Sequence, residues 1–458
     1  MEFRALLQNL PEVKPPIEKK LSFNIKLKWT IIVLIAFFVM ANIALFGLAG
    51  NALARFKYLA IIMGTEFGSI ISLGIGPIVM ASIILQLLVG SKILDIDLSD
   101  SEGKKFFQGL QKLLVFFFII FESTIYVVMG GLTPSAALGS YGPLILIFQL
   151  CLGGLAILFL DEICHKWGFG SGVSLFIAAG VGWRLVAAAF GFLGPQKTFQ
   201  ASGKVIALVI SLMNADSQGA MLALATILTT VILFLIVVWA QSLKIEIPLS
   251  YDRLRGYTMK WPLQFFYASN IPVILTAALV ANFQLFGGLL QNWMGHPTFL
   301  GNMVDGQAVS GFLYWISSTD IVNAIITGSW QWVLLGQTAL HILFYMIIAA
   351  VFSVFWIKTS GMDASNQAQN ILKSGLQIPG FRKDERILES VLSRYVLPLT
   401  VMGGLSIGLL AAAADVLGAL VGGTSLLLGV MIIFQFYQNI AQQHAMDMNP
   451  ALKKMMGV

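Results

Sequence analysis

Four histidines, two cysteines and a few carboxylates are the side chains here that could hold a metal, attack a substrate or carry a proton. The histidines (His165, His296, His341 and His444) are scattered, and the chain has neither a phosphate-cradling glycine loop nor an HExxH pair. No metal, cofactor or enzyme chemistry is expected. Cys151 and Cys164 sit near one apolar stretch. At ~1.5 Å per helical residue they stand roughly 20 Å apart, too far to bridge. Glu122 is the clearest ionisable residue inside an apolar stretch, whereas Arg184, Asp161, Glu162 and Asp415 fall at stretch ends or in loops. A carboxylate inside a membrane marks a functional site by default. It could be a proton or ion site, or join Gln86 and Asn282 in a hydrogen-bonded cluster. The plain alternative is an ordinary interhelical hydrogen bond.

The elements that must position these groups are membrane helices. Of 458 residues, 57% are hydrophobic and only 11% charged, with a mean hydropathy of +0.84; a soluble domain is nearer a quarter charged. Ten apolar stretches read as spans, near 29–48, 73–91, 113–132, 141–160, 172–190, 219–243, 261–286, 331–357, 395–414 and 423–441. No small-residue cleavage site follows the first, so it is read as an uncleaved span. The expected fold is all-α, with ten transmembrane helices.

One feature breaks the pattern. "RFKYLAIIMGTEFGS" (55–69) is apolar but too short to span and carries Glu66, and "ISLGIGPIVMASIILQLL" (71–88) opens on Gly74, Gly76 and Pro77. Broken helices occur in secondary transporters, which gather polar ligands at the break. This chain puts aliphatics there. An inverted-repeat transporter of a small solute is therefore the second reading.

Ten helices invite a search for two halves of five. The second helix of the first half holds "GPIVMASIILQL" (76–87), and that of the second half holds "IPVILTAALVAN" (271–282). The fifth helices open "SGVSLFI" (171–177) and "GGTSLLL" (422–428). An odd number of helices per half inverts one half relative to the other. The repeat pairs Val79 with Ile274, each two residues past a proline, and Ile177 with Leu428. Ile75 and Val173 lie one turn before Val79 and Ile177, on the same helical face. All six are aliphatic. Any one alone reads as ordinary lipid-facing or core packing.

With the N-terminus inside, alternation places all but five of the 28 Lys and Arg on the cytoplasmic side, the exceptions being Arg55, Lys57, Arg184, Lys197 and Lys204. Both termini are then cytoplasmic. The domains follow as a cytoplasmic segment 1–28, a first half 29–190, an external connection 191–218, a second half 219–441 and a cytoplasmic tail 442–458. Two inside loops, 243–262 and 358–394, are rich in Arg and Lys. Charge that merely sets topology explains them; so does a docking surface for something large and anionic, since Arg offers a fork to phosphate.

"GIGPIVMASIILQLLVG", "IPLSYDRLRG", "YASNIPVILTAALVANFQLFG", "QIPGFR" and "GGTSLL" resemble the SecY/Sec61α family of protein-conducting channels, in its archaeal form, and the matches run from the first helix to the last. The resemblance implies two inverted halves around a central pore in the plasma membrane. It implies a pore ring of Ile75, Val79, Val173, Ile177, Ile274 and Leu428, and a plug near 55–72, a short half-helix hinged by Gly64, Gly68, Gly74 and Gly76. It implies a lateral gate between helices 2–3 and 7–8 with a polar cluster of Gln86, Glu122 and Asn282, although Met80 stands where a small polar residue is expected. Arg253, Arg255, Arg382 and Lys383 match docking positions for a ribosome or cytosolic motor. The implied partners are SecE/Sec61γ-type and Secβ/Sec61β-type small subunits, signal sequences and nascent polypeptides, and the lipid bilayer.

Overall fold

The computed structural model describes residues 10–17, 21–55, 60, 64–90, 93–94, 96, 101–192, 203–251, 258–268, 270–304, 307–373, 376–377 and 384–448. Ten helices carry the described architecture: α1 Phe23–Ala41, α2 Gly76–Gly90, α3 Ser101–Val128, α4 Gly142–Trp167, α5 Gly172–Phe190, α6 Ser217–Ser242, α7 Ile271–Met294, α8 Trp332–Thr359, α9 Glu385–Val416 and α10 Gly423–Met448. Nine are long and apolar enough to cross a membrane; α2, with 15 residues, is the short one. At ~1.5 Å per residue α2 reaches about 22 Å, less than the ~30 Å hydrocarbon thickness. The chain before it, 64–75, is a run of turns.

Burial separates the helices. In α7, 72% of the apolar window is buried, against 11% in α1, so α7 is central and α1 is exposed along most of its length. Lipid gives helices no hydrophobic reason to associate, and close backbone approach takes over. The α8–α9 pair shows this: a Cβ on Gly404 would sit 2.8 Å from Ala350 Cα, and one on Gly408 2.6 Å from the Tyr345 carbonyl oxygen.

Four helix starts differ from the sequence reading. α3 begins at Ser101 rather than 113 and α9 at Glu385 rather than 395, both extended by polar residues that hydropathy leaves out, and α1 and α7 are shifted as well. α1 begins at 23 and ends by Ala41, before Asn42 and the left-handed Gly47. Strands β1 Leu48–Asn51 and β2 Leu132–Pro134 pair antiparallel. α7 begins at Ile271, because the apolar residues upstream belong to a hairpin, β3 Lys244–Tyr251 paired antiparallel with β4 Thr258–Gln264. A further strand, Leu376–Gln377, pairs with β3 through Ser250 and Tyr251. The two loops that read as separate in the sequence thus form one platform. Beneath the sheet lies a second core of Ile247, Leu263, Tyr267, Ile371, Leu388 and Leu392 with their neighbours. The Tyr267 hydroxyl donates to the Met362 carbonyl oxygen at 2.7 Å, and burial pushes this phenol up to about 12.

Candidate pore and lateral gate

The helices that carry the six aliphatic positions meet. α2 packs on α7, α7 on α10, and α10 on α5. Ile75, Val79, Ile177, Ile274 and Leu428 are all at most 3% exposed, within one continuous apolar core. Val173 is half-buried and packs against the same core. The 64–75 segment that leads into α2 packs on α5: a Cβ on Gly64 would lie 3.5 Å from Phe176 Cβ and 3.7 Å from Ile75 Cγ2, within the segment itself.

That segment is non-helical backbone at the centre of a helical bundle, and it satisfies its own polar groups, as such backbone must. The Thr65 hydroxyl donates to the Ile71 carbonyl oxygen at 2.5 Å, Gly68 N–H to Ser72 Oγ at 2.8 Å, and Ser69 Oγ to the Glu66 carbonyl oxygen at 2.7 Å. Arg184 Nη2 on α5 pairs with Glu66 Oε2 at 3.1 Å. Of the expected hinge glycines, Gly64, Gly68 and Gly74 have φ of +53°, +98° and +54°, which glycine alone adopts cheaply. Gly76 does not share this: it is the first residue of α2. The half-helix expected for the plug falls largely on 56–59 and 61–63, outside the described residues; of the remainder, Arg55 ends a 3-10 helix, Ala60 is helical and 64–72 is non-helical.

The polar side chains Gln86 on α2, Glu122 on α3 and Asn282 on α7 are 3%, 0% and 1% exposed. They do not form the hydrogen-bonded cluster the sequence allowed. Both Glu122 carboxylate oxygens, Gln86 Oε1 and Asn282 Oδ1 lack a hydrogen-bond partner, as does the hydroxyl of Tyr126, one turn from Glu122. Asn282 Nδ2 donates within its own helix, to the Ala278 carbonyl oxygen at 2.8 Å. The end of α2 lies against α8, where a Cβ on Gly90 would come within 2.5 Å of Phe355 Cδ1.

Arg253, Arg255, Arg382 and Lys383 lie outside the described residues. Their chain neighbours do not. Residues 252–257 join the ends of β3 and β4, and 378–383 follow the strand that pairs with β3, so both basic stretches leave the same sheet.

The SecY family model matches residues 69–437. The chain belongs to the SecY family. It is 42% identical over 465 residues to the protein translocase subunit SecY of Methanothermobacter thermautotrophicus, covering 100% of this chain and 98% of that one. It superposes with a TM-score of 0.82 on a solved protein-conducting channel, at 37% identity and covering 98% and 99% of the two chains. Against Sec61 of the canine ribosome-channel complex from the endoplasmic reticulum the TM-score is 0.79, at 36% identity and covering 98% and 99%. The transporter reading is thereby set aside. A SecY-family chain is a multi-pass membrane channel that conducts polypeptides and catalyses no reaction.

Sequence reasoning missed the hairpin platform. The signal was present as the alternation of Ile245, Ile247 and Leu249 with Lys244, Glu246 and Pro248, a period of two.

Proposed function

We propose that the six aliphatics form the seal through which secretory chains cross, and that the seam of α2 and α3 against α7 and α8 is the gate through which transmembrane segments leave. A conduit for chains of any sequence cannot use specific polar ligands. A narrow apolar ring holds no water column when empty and so blocks ions by dewetting, while branched aliphatics slide along a passing chain without binding it. The carrying observation is the burial of five of the six positions in one apolar core with Gly64 against Ile75 and Phe176. The 55–72 region acts as the plug, anchored by Glu66 and Arg184.

The gate works by a different balance. Each buried acceptor without a partner costs about 1–3 kcal/mol, a penalty that water relieves when the seam opens. A segment in the opened seam then partitions by its own apolarity, Leu, Ile, Phe or Val each gaining about 0.3–0.6 kcal/mol at mid-bilayer.

The basic stretches 252–257 and 378–383, leaving one sheet, form a docking surface for a ribosome or cytosolic motor. The relative seen in a ribosome-channel complex supports this. The channel lies in the plasma membrane with both termini cytoplasmic, beside two small single-span subunits of the SecE/Sec61γ and Secβ/Sec61β types.

The test is a protease-protection assay in vesicles that contain the channel with its small subunits, supplied with ribosomes translating a secretory precursor. Protection of the precursor is expected, and Arg253→Glu with Arg255→Glu should abolish it while leaving the fold intact. Precursor that stays digestible with the unaltered channel, or protection unaffected by the charge reversals, overturns the conduit and the docking assignment respectively.

A further inference from the structure

The two helices that close each half, α5 and α10, begin in the same unusual way. Their first backbone N–H groups are held by a carboxylate from the preceding, antiparallel helix. Asp161, near the end of α4, accepts from Val173 N–H at 2.9 Å through Oδ1. Asp415, in the last turn of α9, accepts from Thr424 N–H at 2.6 Å through Oδ1, and its Oδ2 accepts from the Thr424 hydroxyl. Val173 and Thr424 occupy the same place in the paired segments "SGVSLFI" and "GGTSLLL", one turn before Ile177 and Leu428.

The glycine preceding each of them is needed for the contact. A Cβ on Gly172 would stand 2.6 Å from Asp161 Cα, and one on Gly423 would stand 1.7 Å from the Ala414 carbonyl carbon. Asp161 and Asp415 follow different spacings to their partners, 12 and 9 residues, so the match is one of geometry rather than of copied sequence. Each carboxylate supplies the acceptor that a helix start lacks and faces the positive end of the helix dipole.

We infer that Asp161 and Asp415 are positioning residues, a symmetric pair of cross-helix caps that set where Val173, Ile177 and Leu428 stand in the seal. The inference rests on the pore-ring reading above. The two caps differ in one respect. Asp415 is 7% exposed and stands 3.9 Å from Nε2 of His341 on α8, whose Nδ1 lies 2.7 Å from the Ile316 carbonyl oxygen. The second-half cap is thus tied to α8 and to the external loop. Among the described residues Asp161 shows no such tie to a third helix, and it is half-buried.

Resting ion leak through vesicles containing the complete channel is the readout. Loss of a cap of this kind shifts the equilibrium between seated and displaced helix starts by about tenfold, so Asp161→Ala and Asp415→Ala should raise the leak by about that factor while translocation of a secretory precursor continues. Asp161→Asn keeps an acceptor oxygen and should restore the seal to within about twofold, since the N–H···O bond survives without the charge. Thr424→Val keeps the N–H donor to Oδ1 but removes the hydroxyl donor to Oδ2, and should leak less than Asp415→Ala. Should Asp161→Ala fail to fold, Gly172→Ala reaches the same displacement by pushing the carboxylate away, and should leak as well.

Ile177→Gly serves as the ring control. Leak from Ile177→Gly with tight Asp161→Ala, Gly172→Ala and Asp415→Ala channels overturns the caps and leaves the ring standing. Tight channels throughout, Ile177→Gly included, overturn both. Equal leak from Asp161→Asn and Asp161→Ala would make the charge, rather than the cap, the operative feature and contradict the positioning role.

Discussion

The proposed ring and the proposed gate lie within the same bundle and are built on opposite principles. At the ring, Ile75, Val79, Ile177, Ile274 and Leu428 are buried with no polar atom to satisfy. At the gate, Glu122, Gln86 and Asn282 are equally buried, yet four of their oxygen atoms have no hydrogen-bond partner. Burial alone therefore does not predict stability. The ring is at rest when dry, because its aliphatics ask nothing of water. The proposed gate would be under tension when dry, because its acceptors do. A channel that must resist ions while yielding sideways to an apolar segment needs both.

Substitutions that exchange these characters should break the comparison in graded fashion. Leu428→Ala leaves a cavity in the packed ring, costing about 2–5 kcal/mol, read as a large drop in the melting temperature of the detergent-solubilised channel. Glu122→Leu removes the two orphaned oxygens and should stabilise the closed seam by about 1–3 kcal/mol. Its melting temperature should rise, and insertion of segments with weak signal sequences should slow. Gly90→Ala forces a Cβ into the Phe355 ring edge and should loosen the contact between α2 and α8 by about 1 kcal/mol. Faster lipid release of marginally hydrophobic segments, measured by carbonate extraction, is the expected sign.

The smallest effect lies outside both regions. Lys166 donates to Glu12 and to the Val13 carbonyl oxygen, and the Val13 N–H donates to Glu162, strapping the N-terminal segment to the end of α4. The bond from Lys166 holds the Glu12 carboxyl below the usual glutamate range. A carboxyl depressed in the folded state stabilises above its unfolded value, and that contribution fades as pH falls through the folded one. Proteolysis of the N-terminal segment should therefore quicken only in acid, and Glu12→Gln should remove the difference.

How much of this was legible in the sequence differs between the two regions. The shared apolar core of Val79, Ile274, Ile177 and Leu428 could be read because the internal repeat paired Val79 with Ile274 and Ile177 with Leu428, and an aliphatic needs only a position to do its work. The gate residues could be named but not understood: whether Glu122 finds a partner depends on helix rotations of a fraction of a turn, which hydropathy does not encode. The split segment announced itself through its glycines, and Gly64, Gly68 and Gly74 indeed sit in the left-handed region. The start of α7 misled because Trp261, Pro262 and Leu263 are as apolar as a span yet belong to a strand outside the helix. Asp161 and Asp415 read as charges at stretch ends or in loops, since only the fold brings each to the helix start it caps.

The central claim is that chains pass through the aliphatic ring. The most direct test places a photo-crosslinker at Ile274 and presents a secretory chain stalled on a ribosome, with the small subunits present. The account predicts a crosslink to that chain, lost when its signal sequence is disabled. No crosslink at Ile274 or at Val79 would contradict it.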